Sequence, residues 1–268
     1  HTHIDHFVNF GQVMRHQLAI GRRVIVCGPA GLAQNVQHAL LAFNWNLLQY
    51  DDQAVSYEVR EVHPDGRIQR FHLVTPTWLL TPLPDMQGPE VYRDEAFVVT
   101  TTILDHGVDC IDYLFACHPK VKIRVEQCPF RPGKWMAELK EAFEASDGER
   151  LIVVDAATTL AAKDLFQYLE VEPGFRVAYV MDHAATETNF ERIRSLCKDA
   201  DEVYVEAYYS LDDSEMAVKN KHSMAGMSGK VLREAGVKKA VPIHFSRRYQ
   251  DAEGQAKLLS EFAAAFEG

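Results

Sequence analysis

The chain has 268 residues and a formal net charge of −10, and 47% of its residues are hydrophobic and 25% charged. This composition is typical of a globular protein, and no apolar run approaches the ~20 residues that a membrane-spanning helix needs. The acidic charge argues against a broad nucleic-acid-binding face, which is normally basic, but it is compatible with a local basic patch. The five cysteines are scattered without a CxxC pair, which argues against a thiolate zinc site and indicates reduced thiols in the cytoplasm.

Hydrophobic spacing and turn residues predict the elements of the first half of the chain. In chain order these are a helix over 11–22, a strand over 24–29, a helix over 30–48, strands over 54–62 and 67–74 around the turn HPDGR, and strands over 96–107 and 109–116. The stretch from about 116 to 176 is expected to be compact, with strands and helices of its own, among them a helix over 133–145.

After residue 150, strands and helices alternate. The strands are predicted over 150–156, 176–183, 201–209 and 239–249, and the helices over 160–169, 189–200, 223–236 and 252–266. Such alternation predicts a layered α/β architecture. Because no linker, repeat or low-complexity tract interrupts the pattern, we expect a single domain over residues 1–268.

Residue types that bind metals gather where the predicted strands end and in the opening motif HTHIDH. They are His1, His3, Asp5, His6, His106, Asp182 and His244. Neutral imidazole and carboxylate are the ligands that Zn²⁺ accepts in a site without thiols. Clustered imidazoles and carboxylates are costly to bury without a compensating charge. The pattern therefore predicts a metal site, and the opening motif has enough ligands to contribute to two adjacent ions.

The motif HTHIDH resembles the HxHxDH signature of the metallo-β-lactamase fold. The ordered series of segments that follows resembles the ribonuclease Z (tRNA 3′-end endonuclease) branch of that superfamily: GPAGL, LDHGVDCIDYLF, RPGKWMAELK, VMDHAAT, DADEVYVEAYYS and HSMAGMSGKVLREAGVKKAVPIHFSRRY. The resemblance implies an α/β fold of the four-layer αββα sandwich type. It also implies N-terminal strands upstream of the first motif, which this sequence does not contain.

The resemblance also implies roles for individual residues. One metal would be bound by His1, His3 and His106, the other by Asp5, His6 and His244, with Asp182 bridging them. Two Zn²⁺ ions are expected, with Mn²⁺ or iron as alternatives, and a hydroxide bridging them would attack a phosphodiester. The catalytic residues would be Asp5, Glu206 and His222, and Ser246 and Arg248 would contact the substrate phosphate. His183, next to Asp182, is not assigned as a ligand.

Structural alternatives remain for three of these residues. Glu206 could cap a helix or form an ion pair, His222 could be a solvated residue at a helix start, and Arg248 could form a surface ion pair. The leading hypothesis is a zinc-dependent phosphodiesterase that acts on a tRNA precursor, without a membrane partner and as a homodimer by analogy. The alternatives are a related hydrolase acting on a cyclic nucleotide, an aryl sulfate or an ester, and a catalytically idle binding relative.

Overall fold

The structure is a computed structural model that describes residues 1–46 and 55–268. The chain divides into two compact units, of which the first comprises His1–Ala116 and Arg176–Gly268 and the second Cys117–Phe175. The compactness expected for residues 116–176 is thereby confirmed. The expectation of one domain over the whole chain stays a prediction.

Helices and strands alternate irregularly in the first half of the chain and more regularly in the second. The α-helices of the described residues are α1 Ile4–Phe7, α2 Phe10–Ile20, α3 Leu32–Leu41, α4 Trp135–Glu144, α5 Ala162–Leu165, α6 Glu187–Cys197, α7 Ser214–Asn220, α8 Ala225–Glu234 and α9 Ala252–Glu267. The strands are β1 Val24–Pro29, β2 Ser56–Val62, β3 Arg67–Val74, β4 Thr81–Gln87, β5 Glu90–Arg93, β6 Phe97–Asp105, β7 Asp109–Cys117, β8 Lys120–Ile123, β9 Leu151–Val153, β10 Thr159–Ala161, β11 Leu169–Glu172, β12 Arg176–Val180, β13 Glu202–Glu206 and β14 Lys239–Ile243.

Two sheets form the centre of the first unit. One sheet has the order β1-β2-β3-β4, with β1 parallel to β2 and the other pairs antiparallel. The other has the order β14-β13-β12-β7-β6-β5, in which β12, β13 and β14 are parallel. Because parallel strands end at the same edge of a sheet, the residues that follow β12, β13 and β14 are brought together.

Three apolar clusters define the layers of this unit. The first lies between helices α2 and α3 and the β1–β4 sheet and includes Met14, Val36 and Tyr57. The second lies between the sheets and joins Ile68 of β3 to Ile111 of β7. The third packs α6, α8 and α9 on the β5–β14 sheet. The order of layers is therefore helix, sheet, sheet, helix, which confirms the predicted αββα sandwich.

Local sequence explains where several elements begin and turn. The Thr186 hydroxyl accepts a hydrogen bond from the Asn189 amide at the start of α6, and the Asp251 carboxylate accepts one from Gly254 at the start of α9. Such caps satisfy amide groups that have no partner inside the helix. In the HPDGR turn between β2 and β3, Gly66 has a φ of +81°, a conformation that other residues rarely adopt.

Two predicted helices are corrected by the structure. The helix expected over 30–48 is α3, which ends at Leu41, and its predicted end at residues 47 and 48 lies outside the described residues. The helix expected over 160–169 is reduced to α5 and one turn of 3₁₀ helix, because Thr159–Ala161 pairs with β9 instead. Strand pairing between distant segments therefore overrides the local helical spacing here.

The second unit has a core of its own. Trp135, Leu139 and Ala142 of α4 pack with Ile152 of β9 and Leu165 of α5. Its sheets, as far as the described residues go, are the antiparallel pairs β8–β11 and β9–β10. In neither unit is any described helix both long and apolar enough to cross a bilayer.

Candidate metal centre

The metal-binding residue types lie where strands of the first unit end. His106 follows β6, Asp182 comes two residues after β12, and His244 directly follows β14. His244 has a φ of +55°, a left-handed conformation that is uncommon outside glycine and that turns the chain sharply at the end of its strand. The opening motif adds further groups from the start of the chain, where α1 begins after His3.

The residues predicted for one metal form one of the clusters. His1, His3, His106 and Asp182 each offer a ligand atom, and these atoms all lie within 4.8 Å of one another. The Oδ2 atom of Asp182 is 3.5 Å from Nε2 of His1 and 3.5 Å from Nε2 of His106. The other nitrogen of His106, Nδ1, donates to the backbone carbonyl of Lys221 at 2.7 Å, which leaves Nε2 free to bind an ion.

The residues predicted for the other metal form a second cluster. Asp5, His6 and His244 also bring ligand atoms within 4.8 Å of one another. Asp182 adjoins this cluster as well, with Oδ2 3.3 Å from Nε2 of His6 and Oδ1 3.1 Å from Nδ1 of His244. Asp182 thus belongs to the first cluster and lies against two members of the second, the position expected of a bridging carboxylate. The assignment of individual ligands stays a prediction.

Unpartnered polar atoms show that these residues fit a metal. Nε2 of His1, Nε2 of His6 and Oδ1 of Asp182 are buried without a hydrogen-bond partner in the structure. Buried polar groups are normally hydrogen-bonded, because an unsatisfied one costs free energy. Imidazole nitrogens and a carboxylate oxygen aimed at the same space suit a divalent cation such as Zn²⁺. Asp5 and His3 are exposed, so the site is open to solvent on their side.

The electrostatics of the centre keep Asp182 ionised. Burial acts to raise the pKa of Asp182, but the close contact with His6 and the charges of His244, His6 and His106 outweigh it and bring the pKa to about 2. Burial likewise acts to lower the pKa of His244, yet Glu206 and Asp182 raise it overall. Asp182 and His244 therefore each favour the charged form of the other.

Glu206 and His222, the predicted catalytic pair, are in direct contact beside the two clusters. Glu206, at the end of β13, is fully buried, and its Oε2 lies 2.8 Å from Nδ1 of His222. Its Oε1 accepts hydrogen bonds from the backbone amides of Ser223 and His183. Burial acts to raise the pKa of Glu206, but hydrogen bonds from His222 and His244 lower it overall. His222 is buried rather than solvated, whereas Glu206 also fits its structural alternatives, since it pairs with His222 and accepts the Ser223 amide just before α8. The catalytic role of the two residues stays a prediction.

The two residues predicted to contact phosphate have different surroundings. Ser246 is buried, and its backbone amide donates to the carbonyl of Tyr208, whose ring contacts both His222 and His244. Arg248 is exposed, and its guanidinium lies 3.9 Å from the Asp213 carboxylate. Ser246 is thus brought near the centre, whereas Arg248 forms the surface ion pair considered as its alternative. A phosphate contact by either residue stays a prediction.

The sequence analysis missed several neighbours of these groups. Tyr208 stacks on His222, and the Cys110 sulfur lies 3.3 Å from Nδ1 of His1. Asp112 is fully buried, and one of its carboxylate oxygens has no partner. His183, not assigned as a ligand, is buried with Nδ1 directed at the Met181 carbonyl. Spacing gave no signal for Cys110 or Asp112. Tyr208, however, follows Glu206 by only two residues, so the sequence could have indicated that it lies near the site.

Comparison with known proteins agrees with the resemblance seen in the sequence. The chain is 26% identical to ribonuclease Z of Deinococcus radiodurans over 281 aligned positions, which cover 96% of this chain and 77% of that protein. It is 28% identical to ribonuclease Z of Thermobifida fusca, over 84% of this chain and 60% of that protein. This chain is similar in sequence to ribonuclease Z. No protein-family model matches it.

Solved structures agree with this relation to ribonuclease Z at the level of the fold. The metallo-β-lactamase fold protein YhfI from Bacillus subtilis matches all of this chain and 70% of its own, with a TM-score of 0.51 and 14% identity. A long-form RNase Z from yeast matches 91% of this chain with a TM-score of 0.50 and 14% identity, although the match covers only 27% of the yeast chain. The chain therefore has the metallo-β-lactamase fold.

Proposed function

We propose that this chain is a metal-dependent phosphodiesterase of the ribonuclease Z type and that it cleaves tRNA precursors. The observation that carries the proposal is the pair of ligand clusters that meet at Asp182, next to the buried pair of Glu206 and His222. The sequence relatives named ribonuclease Z support the same activity. An idle binding module is disfavoured, because these buried ionisable groups would be expensive to retain without an ion.

Two Zn²⁺ ions are the cofactors we propose. One would be held by His1, His3 and His106, the other by Asp5, His6 and His244, and Asp182 would contact both. When bound, such a pair of ions lowers the pKa of a water molecule and neutralises the charge that develops on a phosphodiester.

The protein groups would then divide the proton transfers between them. The exposed carboxylate of Asp5 can accept a proton from the attacking water. His222 can protonate the departing 3′-oxygen, since Glu206 holds its Nδ1 and leaves Nε2 for the substrate. The Ser246 hydroxyl could donate to a phosphate oxygen only by leaving Tyr208, and Arg248 could add its donors only by leaving Asp213.

Metal content and tRNA cleavage test the proposal together. We expect about two zinc ions per chain, counted by elemental analysis, and cleavage of a precursor tRNA that weakens as salt increases. Asp182→Asn should lose both metal and cleavage, because the bridging charge is removed. Asp65→Asn, an exposed change in the β2–β3 turn, is the matched control and should lose neither. Wild-type protein that holds no zinc at saturation would contradict the proposal.

A smaller phosphodiester substrate is a second candidate, favoured by the charge of the second unit. Acidic residues outnumber basic ones between Cys117 and Phe175. Two of its lysines, Lys122 and Lys163, pair with Glu172 and Glu149. A polyanion is normally bound through lysine and arginine contacts to phosphate. Hydrolysis of bis(p-nitrophenyl) phosphate without tRNA cleavage would support this candidate, and preference for an aryl sulfate would indicate a different hydrolase.

A homodimer and a cytoplasmic location stay predictions. Light scattering of the purified protein would test the first. The cysteines found among the described residues are unpaired, which is compatible with the second.

A further inference from the structure

Tyr208 lies against the proposed proton donor without having an assigned role. Its ring is parallel to the imidazole of His222, with a centroid distance of 3.7 Å and an interplanar angle of 6°. This distance is that of direct van der Waals contact between two stacked rings. Tyr208 therefore covers one whole face of His222.

The bond to Glu206 does not by itself fix the His222 ring. A single hydrogen bond at Nδ1 constrains one edge, and the torsion that turns an imidazole about its Cβ–Cγ bond has broad minima. The ring could still tilt about the Nδ1···Oε2 direction, which would swing Nε2 away from the substrate. The face of Tyr208 on one side blocks this tilt, and His106 lies close to the ring, 4.6 Å between centroids.

Tyr208 is itself held in place. Its carbonyl accepts the Ser246 amide at 3.1 Å, and its side chain shares a hydrogen bond with that of Ser246. Its neighbours in the chain, Ala207 and Tyr209, are buried. The ring also contacts His244, at 5.1 Å and 48°. A side chain fixed at its backbone, its hydroxyl and its ring can serve as a rigid support.

We propose that Tyr208 is a positioning residue that fixes the ring plane of His222 and so directs Nε2 at the leaving oxygen. The consequence for turnover rests on the proposed function, whereas the fixed ring plane does not. The aromatic face is the part that matters, because the hydroxyl contacts Ser246 rather than His222. Tyr208→Phe should therefore retain the effect, and Tyr208→Leu should abolish it.

Nuclear magnetic resonance tests the stack without any activity. The ring protons of His222, assigned by their loss in His222→Ala, should be shifted upfield by the ring current of Tyr208. We expect Tyr208→Phe to keep this shift and Tyr208→Leu to remove it. Tyr204→Leu, in β13 four residues before Tyr208 and in contact with Tyr179, is the matched control and should leave the shift unchanged. Unchanged His222 resonances in Tyr208→Leu would overturn the inference.

A double-mutant cycle tests the consequence for turnover. Tyr208→Leu should lower kcat on a phosphodiester by about tenfold to hundredfold, with KM and zinc content nearly unchanged. In the His222→Ala background the same change should cost almost nothing further, because Tyr208 acts through His222. If the losses in kcat caused by Tyr208→Leu and His222→Ala were fully additive in the double mutant, the positioning role would be overturned. A wild-type protein without phosphodiesterase activity would refute only the proposed function, since the resonances still report the stack.

Discussion

Two buried carboxyl groups of the first unit have opposite pKa shifts because their surroundings differ. Asp182 is surrounded by imidazoles, which bring its pKa to about 2 although burial acts to raise it. Burial raises the pKa of Asp112 well above its ordinary value, and the hydrogen bond from the Met181 amide only partly opposes this. Asp182 is therefore suited to bind a cation, whereas Asp112 is stabilised as the neutral acid.

The Asp112 shift predicts a pH-dependent stability. Because the folded-state pKa exceeds the unfolded value, the protonated acid contributes its full stability below the unfolded pKa, and the contribution is lost as pH rises. Asp112→Asn cannot ionise, so its stability relative to wild type should increase with pH, by at most about 1.4 kcal/mol per pH unit. Urea unfolding from pH 4 upward measures the difference.

A control on the same strand separates this effect from a general change in charge. Asp109 lies at the exposed start of β7. The stability of Asp109→Asn relative to wild type should stay nearly constant over the same pH range. If Asp112→Asn behaved in the same way, the buried carboxyl would not be the neutral acid that we infer.

His222→Ala should separate catalysis from metal binding. Loss of a positioned proton donor typically lowers the rate by about 10²–10⁴-fold, and we expect a fall in kcat of this order. His222 also lies with Asp182, Glu206 and His244 in a group that could hold an ion. Zinc content should nevertheless stay near that of wild type, because Glu206 holds Nδ1 of His222 and neither proposed metal uses this residue as a ligand. Elemental analysis and turnover are measured on one preparation, with the exposed His16→Ala as control. Equal loss of zinc and activity would make His222 a ligand instead.

Which residues form the candidate site could be predicted from the sequence better than how those residues are arranged. The opening motif and the strand-end His106, Asp182 and His244 follow from residue type and position, and the structure brings them together. The short distance between Glu206 and His222 depends on how β13 meets the start of α8, which spacing alone does not specify. Nothing in the local pattern distinguished Cys110 from an ordinary core residue.

Among the elements, helices α8 and α9 pack closely against each other at Gly229. A Cβ added at Gly229 of α8 would lie 2.5 Å from the backbone oxygen of Phe262 in α9. Backbone cannot move aside cheaply, so Gly229→Ala should push the two helices apart. The packing of α8 and α9 on the β5–β14 sheet depends on this small residue.

A pair of glycine substitutions tests whether Gly229 is needed for the close packing of α8 and α9. Gly229→Ala should lower the free energy of unfolding by roughly 1–3 kcal/mol, as overpacked cores do. Gly11→Ala in α2 has no atom within 4 Å of the added Cβ and should be neutral or stabilising by up to about 1 kcal/mol, because alanine favours helix. Thermal unfolding of both variants gives the comparison, and equal effects would rule out the proposed clash.

Elements with a strong local signal were predicted with their bounds, and elements that depend on distant partners were not. β1 and β3 begin and end where the sequence analysis placed them. β4 was missed because it contains Pro82 and Pro84, and proline is tolerated in a strand only at the edge of a sheet. β4 does lie at an edge, beside β3, but local sequence does not show which strand is at the edge. α7 was also missed, because its seven residues are too few to show a clear period.

At the scale of the whole molecule, the two strands that flank the second unit in the sequence, β7 and β12, are paired with each other. β7 and β12 are antiparallel, Ala116 is paired with Arg176, and the Cys117 amide donates to the Phe175 carbonyl at 2.9 Å. A two-residue turn can join such a pair of strands as a hairpin. As far as the described residues go, the apolar clusters of the first unit consist of residues from that unit.

Excision of the second unit is therefore expected to spare the metal centre. A variant in which Asn-Gly replaces residues 118–174 should fold, bind as much zinc as wild type and hydrolyse bis(p-nitrophenyl) phosphate at a similar rate. Circular dichroism, elemental analysis and the small-substrate assay check these three expectations, with the full chain as reference. A variant that folds but binds no zinc would show that the centre depends on the second unit.

The ligand clusters join residues that are far apart in the sequence, such as Asp5 and His244. An ion coordinated by both would close the long loop between them, and the entropy removed from the unfolded ensemble grows with loop length. Zinc would then act as a reversible cross-link, and its binding energy would add to folding. Chelation should accordingly lower the Tm of the whole first unit, β1 included, rather than loosen only the residues that touch the ion.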